Sequence, residues 1–319
     1  MGKDGQYLVK ILELARFSPS SHNTQPWKAS VSDGKIIVGY EPPRHLTVGD
    51  PEKRELFISL GCFIETIGAA ARNYGYQMVY GYIGSEFEGV ARLSFSKKGS
   101  ADKGLEHLIR IRRSDRRKFA QRPIPSAELK ELSKLACGPA ESHIYTGPDD
   151  IELLSSLTRQ ATLAAMNRGD FREELSGWVR HNWTKRPDGM PAYVQGIPGP
   201  ISLVAKTMIK KNPKVASSQA KKDAKNVLNS SAIAVISVSK DSPQAWLDAG
   251  RLFQRLWLTA TRFGISAAAY SAAVVDKRTS EEMARKLELK GQPVALLRLG
   301  YGRNVPKASP RRPLSDILA

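Results

Sequence analysis

Two cysteines in 319 residues cannot build a disulfide scaffold, and Cys62 and Cys137 share no metal-ligand spacing. Each stands among small or apolar neighbours (Gly61-Cys62-Phe63, Ala136-Cys137-Gly138), so both read as buried, reduced thiols. Long apolar runs are missing too: none reaches the roughly 18–20 residues that cross a bilayer. The first six residues carry no signal-peptide core, and Gln6 stands where N-myristoylation needs Ser or Thr. The expectation is a cytoplasmic protein with no membrane partner. His22, His45, His107, His143 and His181 are scattered without metal spacing, so no metal site is expected. No Gly-x-Gly-x-x-Gly run follows a strand pattern, which excludes a dedicated Rossmann domain. No Ser/His/Asp or carboxylate constellation offers itself for catalysis.

Negative charge is also short. Against 49 Lys and Arg stand 31 Asp and Glu, a formal net charge of +18. Such an excess attracts anionic partners: nucleic acid, or a phosphorylated cofactor with a phosphorylated reductant. One basic cluster, Arg110, Arg112, Arg113, Arg116, Arg117, Lys118 and Arg122, is rich in Arg and interleaved with hydroxyl and aromatic residues, which suits bidentate phosphate binding. A second, Lys206, Lys210, Lys211, Lys214, Lys221, Lys222 and Lys225, is all Lys and reads as a solvated face. Neither carries a nucleic-acid recognition pattern, so nucleic acid is not the expected partner.

What is present is a folded chain of α+β character. The 41% hydrophobic and 25% charged content is ordinary for a globular protein. Leu8, Ile11, Leu12 and Ala15 make a helical stripe. Asp33-Gly34 sits between two strand patterns as a hairpin turn. Asp50-Pro51 reads as the cap and first turn of a helix with Leu56, Leu60, Phe63, Ile64 and Ile67 inward, stopped at Gly75. Ala91, Leu93 and Phe95 alternate as a half-buried strand. Ser126 reads as a helix cap. Residues 150–225 are helical by pattern, broken at 186–189 and 196–200, and suggest a cap over a cleft. Trp178, Trp183 and Tyr193 there read as packing or as a shield over it. Residues 232–238 and 294–299 are near-continuous apolar strands. Between them Ser242-Pro243 opens a helix that Gly264 ends, and Thr279 with Glu282 makes a capping box.

The densest local signal is Ser18-Pro19-Ser20-Ser21-His22-Asn23-Thr24-Gln25-Pro26-Trp27. By residue type alone it is a turn, with His22 at the surface and Trp27 as an anchor to the core. It resembles, however, the flavin-bordering loop of the FMN-dependent nitroreductase family. Arg112-Arg113-Ser114-Asp115-Arg116-Arg117-Lys118-Phe119 is similar to that family's Arg-Arg-Ser-x-Arg-x-Phe phosphate segment, one residue longer before the Phe. A third match runs from the helix at 243–263 through Leu299-Gly300-Tyr301-Gly302-Arg303 to Pro310-Arg311-Arg312-Pro313-Leu314. The loop precedes the phosphate segment, whereas the usual order puts the phosphate segment near the N-terminus. The chain thus looks like the fused branch of the family, which includes dormancy-associated mycobacterial members and in which one chain mimics the dimer.

The resemblance implies a mixed, antiparallel-rich sheet wrapped by helices. It implies an N-terminal half at 1–110 and a C-terminal half at 111–319 with the helical cap at about 150–225. It implies FMN as cofactor and NAD(P)H as reductant. Pro19, Ser20, Ser21 and Asn23 match the ribityl-side and ring-side contacts. Arg112 and Ser114 match the phosphate contacts, with Arg113 in the same segment, and Arg116 the basic residue near N1 and O2. Ser271 and Ala272 would offer backbone N–H groups to N5, and Arg311 and Arg312 would close on the phosphate. No protein side chain is expected to be catalytic, since the flavin carries the hydride. The implied reaction is ping-pong reduction of nitroaromatic, quinone-like or other electrophilic small molecules. The alternative is an FMN-sequestering protein with a lidded site. Monomer and homodimer both remain open.

Overall fold

The computed structural model describes residues 3–97 and 99–319. Helix α1 (Lys3–Ala15) buries Leu8, Ile11, Leu12 and Ala15, the stripe its spacing predicts. Strands β1 (Trp27–Ser32) and β2 (Lys35–Tyr40) form the expected hairpin. Asp33 and Gly34 both take positive φ (50° and 70°), as the tight turn requires. Helix α2 (Arg54–Asn73) follows, then β3 (Tyr76–Glu86) and β4 (Gly89–Lys97), giving an antiparallel sheet in the order β1-β2-β4-β3. Trp27 anchors the preceding loop as expected, fully buried and stacked on Phe63 at 4.8 Å between centroids.

Helices α3 (Gly104–Ile111) and α4 (Ser126–Ser133) lead to strands β5 (Ala136–Cys137) and β6 (Ala140–Tyr145). The middle region is helical, as its pattern predicts. Helices α5 (Pro148–Asn167) and α6 (Gly169–Trp178) precede the short strands β7 (Val179–Arg180) and β8 (Met190–Pro191), and α7 (Gly199–Lys211) and α8 (Lys214–Leu228) follow. The chain then runs through β9 (Ala232–Val238), α9 (Pro243–Arg262), β10 (Ser266–Ala269), α10 (Ala272–Val275), α11 (Lys277–Lys286), β11 (Gln292–Gly300) and α12 (Leu314–Ile317). The second sheet has the order β10-β11-β9-β6-β5, every neighbour antiparallel. It is covered on both faces, which is why β9 is apolar throughout. Ala234 and Ile236 join the core shared with α2 and α9, while Ile233 and Val235 join a smaller core under α5 and α11.

Helices α2 and α9 cross in the middle of the molecule, backbone against backbone. A Cβ on Gly61 would stand 2.1 Å from the Leu247 carbonyl oxygen, and one on Gly250 would stand 2.1 Å from that of Ile58. Past β11 the chain crosses back to the first sheet. There Leu318 bridges Ala29, the Ala319 N–H donates to the Ala29 carbonyl at 3.0 Å, and Ile317 is fully buried.

Three caps differ from the sequence reading. Helix α2 starts at Arg54 rather than at Pro51, because Lys53 turns through φ 64°. Asp50 still serves the helix end, accepting from the Glu55 and Leu56 amides at 3.0 and 2.8 Å. Ser126 lies inside the first turn of α4 and makes no side-chain cap. Helix α11 is capped by Asp276, which accepts from the Thr279 amide at 2.9 Å, so Thr279 is a first-turn residue and not a cap. Ser242 caps α9 as expected. Cys62 and Cys137 are both buried and free. No helix among the described residues is long and apolar enough to cross a membrane.

Candidate functional site

Beside α2, α9 and the β10–β11 edge of the second sheet lies a cavity of about 860 Å³, toward the upper end of small-molecule sites. Its walls come from the loop after α1, the start of α2, the segment after α3, helix α5, the β10–α10 turn and the stretch before α12.

The loop is held in an uncommon conformation. His22, Asn23 and Gln25 all have positive φ (51°, 54° and 51°), a region that Asn tolerates better than most residues. Hydrogen bonds from remote segments stabilise it. Asn23 Nδ2 donates to the carbonyls of Gly189 at 2.8 Å and Pro310 at 3.1 Å. Gln25 Nε2 donates to Pro187 O at 2.9 Å, and the Gln25 N–H to Ser20 Oγ at 2.9 Å. This turn brings His22 into the cavity wall rather than to the surface. Burial, followed by the charge of Arg116, pushes the His22 imidazole down to about 4, so it is neutral at physiological pH.

The segment after α3 enters the edge of the second sheet: Ser114 bridges Ala267, and the Asp115 N–H donates to the Ala267 carbonyl at 2.8 Å. That fixes three side chains at one corner of the cavity. Arg112 is buried with its guanidinium 4.4 Å from the centre of the Trp257 ring, and donates from Nη2 to Phe17 O at 3.0 Å. Arg113 donates to Pro306 O at 2.7 Å. Arg311 enters from the other side, donating from Nη1 to Asn23 Oδ1 at 3.0 Å. Among the described residues no carboxylate pairs with Arg112, Arg113 or Arg311. Burial and then repulsion from Arg311 hold Arg112 down to about 9, and burial and then Arg113 hold Arg311 down to about 10. Both remain charged at neutral pH. The Ser114 hydroxyl and the Nε atoms of Arg112 and Arg311 are buried without a partner. A corner with three cations, no counter-charge and idle donors is a site for an anion with several oxygens.

Opposite it, Glu55 accepts from Ser21 Oγ at 2.5 Å and from Ser271 Oγ at 3.1 Å. Burial raises the Glu55 carboxyl despite these bonds. Asp50, behind it, is raised to about 7 by burial and then by the Glu55 charge. Arg116 acts on a third wall: its charge lowers His22 and partly offsets the burial that raises Asp223 to about 6.

The structure brings Pro19, Ser20, Ser21, Asn23, Arg112, Arg113, Ser114, Arg116, Ser271, Ala272 and Arg311 to this one cavity. It does not bring Arg312. That guanidinium is buried on the far side of the chain, paired with Glu41 at 2.8 Å and donating to Gln25 O at 3.0 Å. Adjacent residues of an extended segment point opposite ways, so only one of the two arginines can face the site. Of Trp178, Trp183 and Tyr193 only Tyr193 lines the cavity, while Trp183 is exposed. Glu55 and Asp223 were not anticipated. An acid in the first turn of a helix has an ordinary explanation in the helix dipole, which hides Glu55 from a sequence reading.

A model described as the nitroreductase family matches residues 109–301. Over nearly its whole length the chain is similar to two proteins named as NAD(P)H nitroreductases. One, from Mycobacterium tuberculosis strain H37Rv, is 23% identical over 99% of this chain and 92% of its own. The other, PigM of Serratia, is 25% identical over 98% and 93%. Among solved structures it is similar to the FMN-dependent nitroreductase NfnB of Mycobacterium smegmatis in complex with NADPH. That likeness is 15% identity over 67% of this chain and 96% of that one, with a TM-score of 0.43.

Proposed function

This chain belongs to the nitroreductase family, and from that premise we propose that it is an NAD(P)H-dependent oxidoreductase holding FMN in this cavity. The observation that carries the proposal is the corner of buried Arg112 with half-buried Arg113 and Arg311, none with a carboxylate, beside the idle Ser114 hydroxyl. A phosphate monoester supplies the charge and acceptor oxygens that this corner lacks. Ser20 and Ser21 offer hydroxyls to a polyol chain. Arg116 lines the same cavity and would offer positive charge to a reduced ring, and Ser271 and Ala272 lie at the start of α10 on that cavity.

Bound FMN supplies reversible two-electron chemistry, taking a hydride equivalent from NAD(P)H and giving one to an acceptor. The residues of the chain bind, orient and exclude water. Glu55 fixes the Ser21 and Ser271 hydroxyls toward itself, so each hydroxyl oxygen faces its neighbours as an acceptor. The walls from α5 and α6 are largely apolar, with Ala161, Met166, Phe171 and Leu175, and carry Thr162, Arg168 and Asp170 as their polar groups. We therefore assign acceptors of the nitroaromatic, quinone-like or other electrophilic class, with modest discrimination among them. Donor and acceptor share one cavity in turn, so double-reciprocal plots should be parallel. The composite of an early loop and a later phosphate segment supports halves at 1–110 and 111–319 that stand in for two subunits.

The test is anaerobic mixing of the FMN-loaded protein with NADH or NADPH. Bleaching of the flavin absorbance by either supports the proposal. A flavin that stays oxidised in excess of both overturns it and favours FMN sequestration.

A further inference from the structure

Helix α7 is turned inside out. Its inward face is made by Ser202 and Ala205, both buried. Its outward residues Ile201, Leu203, Val204 and Met208 are 51, 63, 51 and 43% exposed. Ile201, Val204 and Met208 follow the i, i+3, i+7 spacing of an apolar stripe that a helix ordinarily hides. Trp183, itself 62% exposed, lies over the start of the helix, where a Cβ on Gly199 would come within 2.9 Å of its ring.

The rest of this face is cationic. Lys206, Lys210 and Lys211 project from α7 itself, and Lys185 and Arg186 from the loop beside it, all exposed. A cleft of about 580 Å³ opens between loop and helix, with His181, Lys185, Arg186 and Lys206 in its walls beside Leu203. Among the described residues Lys185, Lys206 and Lys211 pair with no carboxylate, while Lys210 meets only the exposed Glu173.

We propose that α7, Trp183 and this basic cleft seat the protein on an anionic phospholipid surface. The stripe enters the boundary between headgroups and acyl chains, Trp183 sits at headgroup level, and the cations and cleft take lipid phosphates. Charge selects this occupant. A second copy of the chain, also at +18, would bring the same unpaired cations face to face. A nucleic acid would satisfy the cations but leave the aliphatic stripe in water. None of Ile201, Val204, Lys206 or Met208 lines the central cavity, so this inference stands apart from the flavin reading.

The test is sedimentation of the full chain with vesicles of phosphatidylcholine alone or mixed with phosphatidylglycerol. Binding is expected to the mixed vesicles only, and to weaken with salt. Trp183 should become shielded from aqueous quencher on binding, a signal that Trp183→Phe largely removes, since Trp27, Trp246 and Trp257 are already buried and Trp178 is half-buried. The pairs Val204→Ser/Met208→Ser and Lys206→Glu/Lys210→Glu should each lower partitioning about ten-fold or more, with the melting temperature and FMN affinity unchanged. Equal binding to neutral vesicles, or no binding at low salt, overturns the proposal. So does a concentration-dependent dimer that Val204→Ser/Met208→Ser abolishes, which assigns the face to a second copy.

Discussion

At the residue scale, the most telling chemistry is what the buried arginines do without. Other buried guanidinium groups have a carboxylate, as Arg180 has Asp188 at 2.9 Å and Arg312 has Glu41 at 2.8 Å, or carbonyl oxygens, as Arg172 and Arg298 have. What marks the corner is that Arg112 and Arg311 repel each other there with Nε donors idle. Arg112 and Arg311 have only carbonyls and an amide. Arg112→Ala should therefore weaken FMN by about ten- to a hundred-fold, roughly 1.5–3 kcal/mol, when the flavin is titrated by fluorescence. Lys210→Ala, on a distant solvated face, should change little, and equal losses from both would remove the phosphate assignment. Asp50 gives a pH test. Its folded value, about 7, lies above the ordinary 3.8, so the folded state holds a proton that the unfolded state has released. Stability contributed by Asp50 is thus full at low pH and is lost as pH rises through about 4 to 7. Asp50→Asn should flatten that part of a melting-temperature profile, and an unaltered slope would show that Asp50 ionises freely. Arg112 and Ser114 were legible because they sit in a contiguous segment with a known counterpart. Glu55 was not, because its meaning lies in reaching Ser21 and Ser271, and that proximity is tertiary.

At the scale of elements, pattern and structure agree wherever burial is periodic and part company at helix ends. The α1 stripe, the Asp33-Gly34 hairpin and the doubly covered β9 all follow from residue spacing, because each is set by the face that must leave water. Caps are decided by single hydrogen bonds, and several polar residues compete for each. Near α11, Asp276 wins over Thr279 because its carboxylate reaches the free Thr279 amide in the first turn. The crossing of α2 on α9 was likewise illegible, since nothing in Gly61 or Gly250 alone says that two backbones meet there. It makes a sharp prediction. Gly61→Ala or Gly250→Ala drives a methyl into a carbonyl oxygen and must spread the helices, costing about 3 kcal/mol or more in denaturant unfolding. A loss within a few tenths would mean that the pair can slide apart freely. The cost should appear with FMN absent, which separates packing from ligand binding.

At the scale of the molecule, the anion corner draws on two stretches of the chain far apart in sequence. Arg112 and Ser114 come from the segment joining the sheets, while Arg311 lies on the return stretch that pins itself to β1. The composite uses one loop, one phosphate segment and one return stretch, so a single FMN per chain is expected from flavin absorbance against protein concentration. Two per chain would contradict it. Deleting residues 310–319 should abolish flavin retention and lower the melting temperature, because Arg311, Leu314 and Ile317 leave together. The return stretch also governs timing. As the chain leaves the ribosome, the serine loop emerges well before Arg311, so a nascent chain has no finished phosphate corner while its first sheet can already pair. On the proposed assignment, cofactor loading is then a late event that cannot template the first sheet. The species that must escape aggregation in the cell is the empty protein, with its arginines repelling one another until an anion arrives.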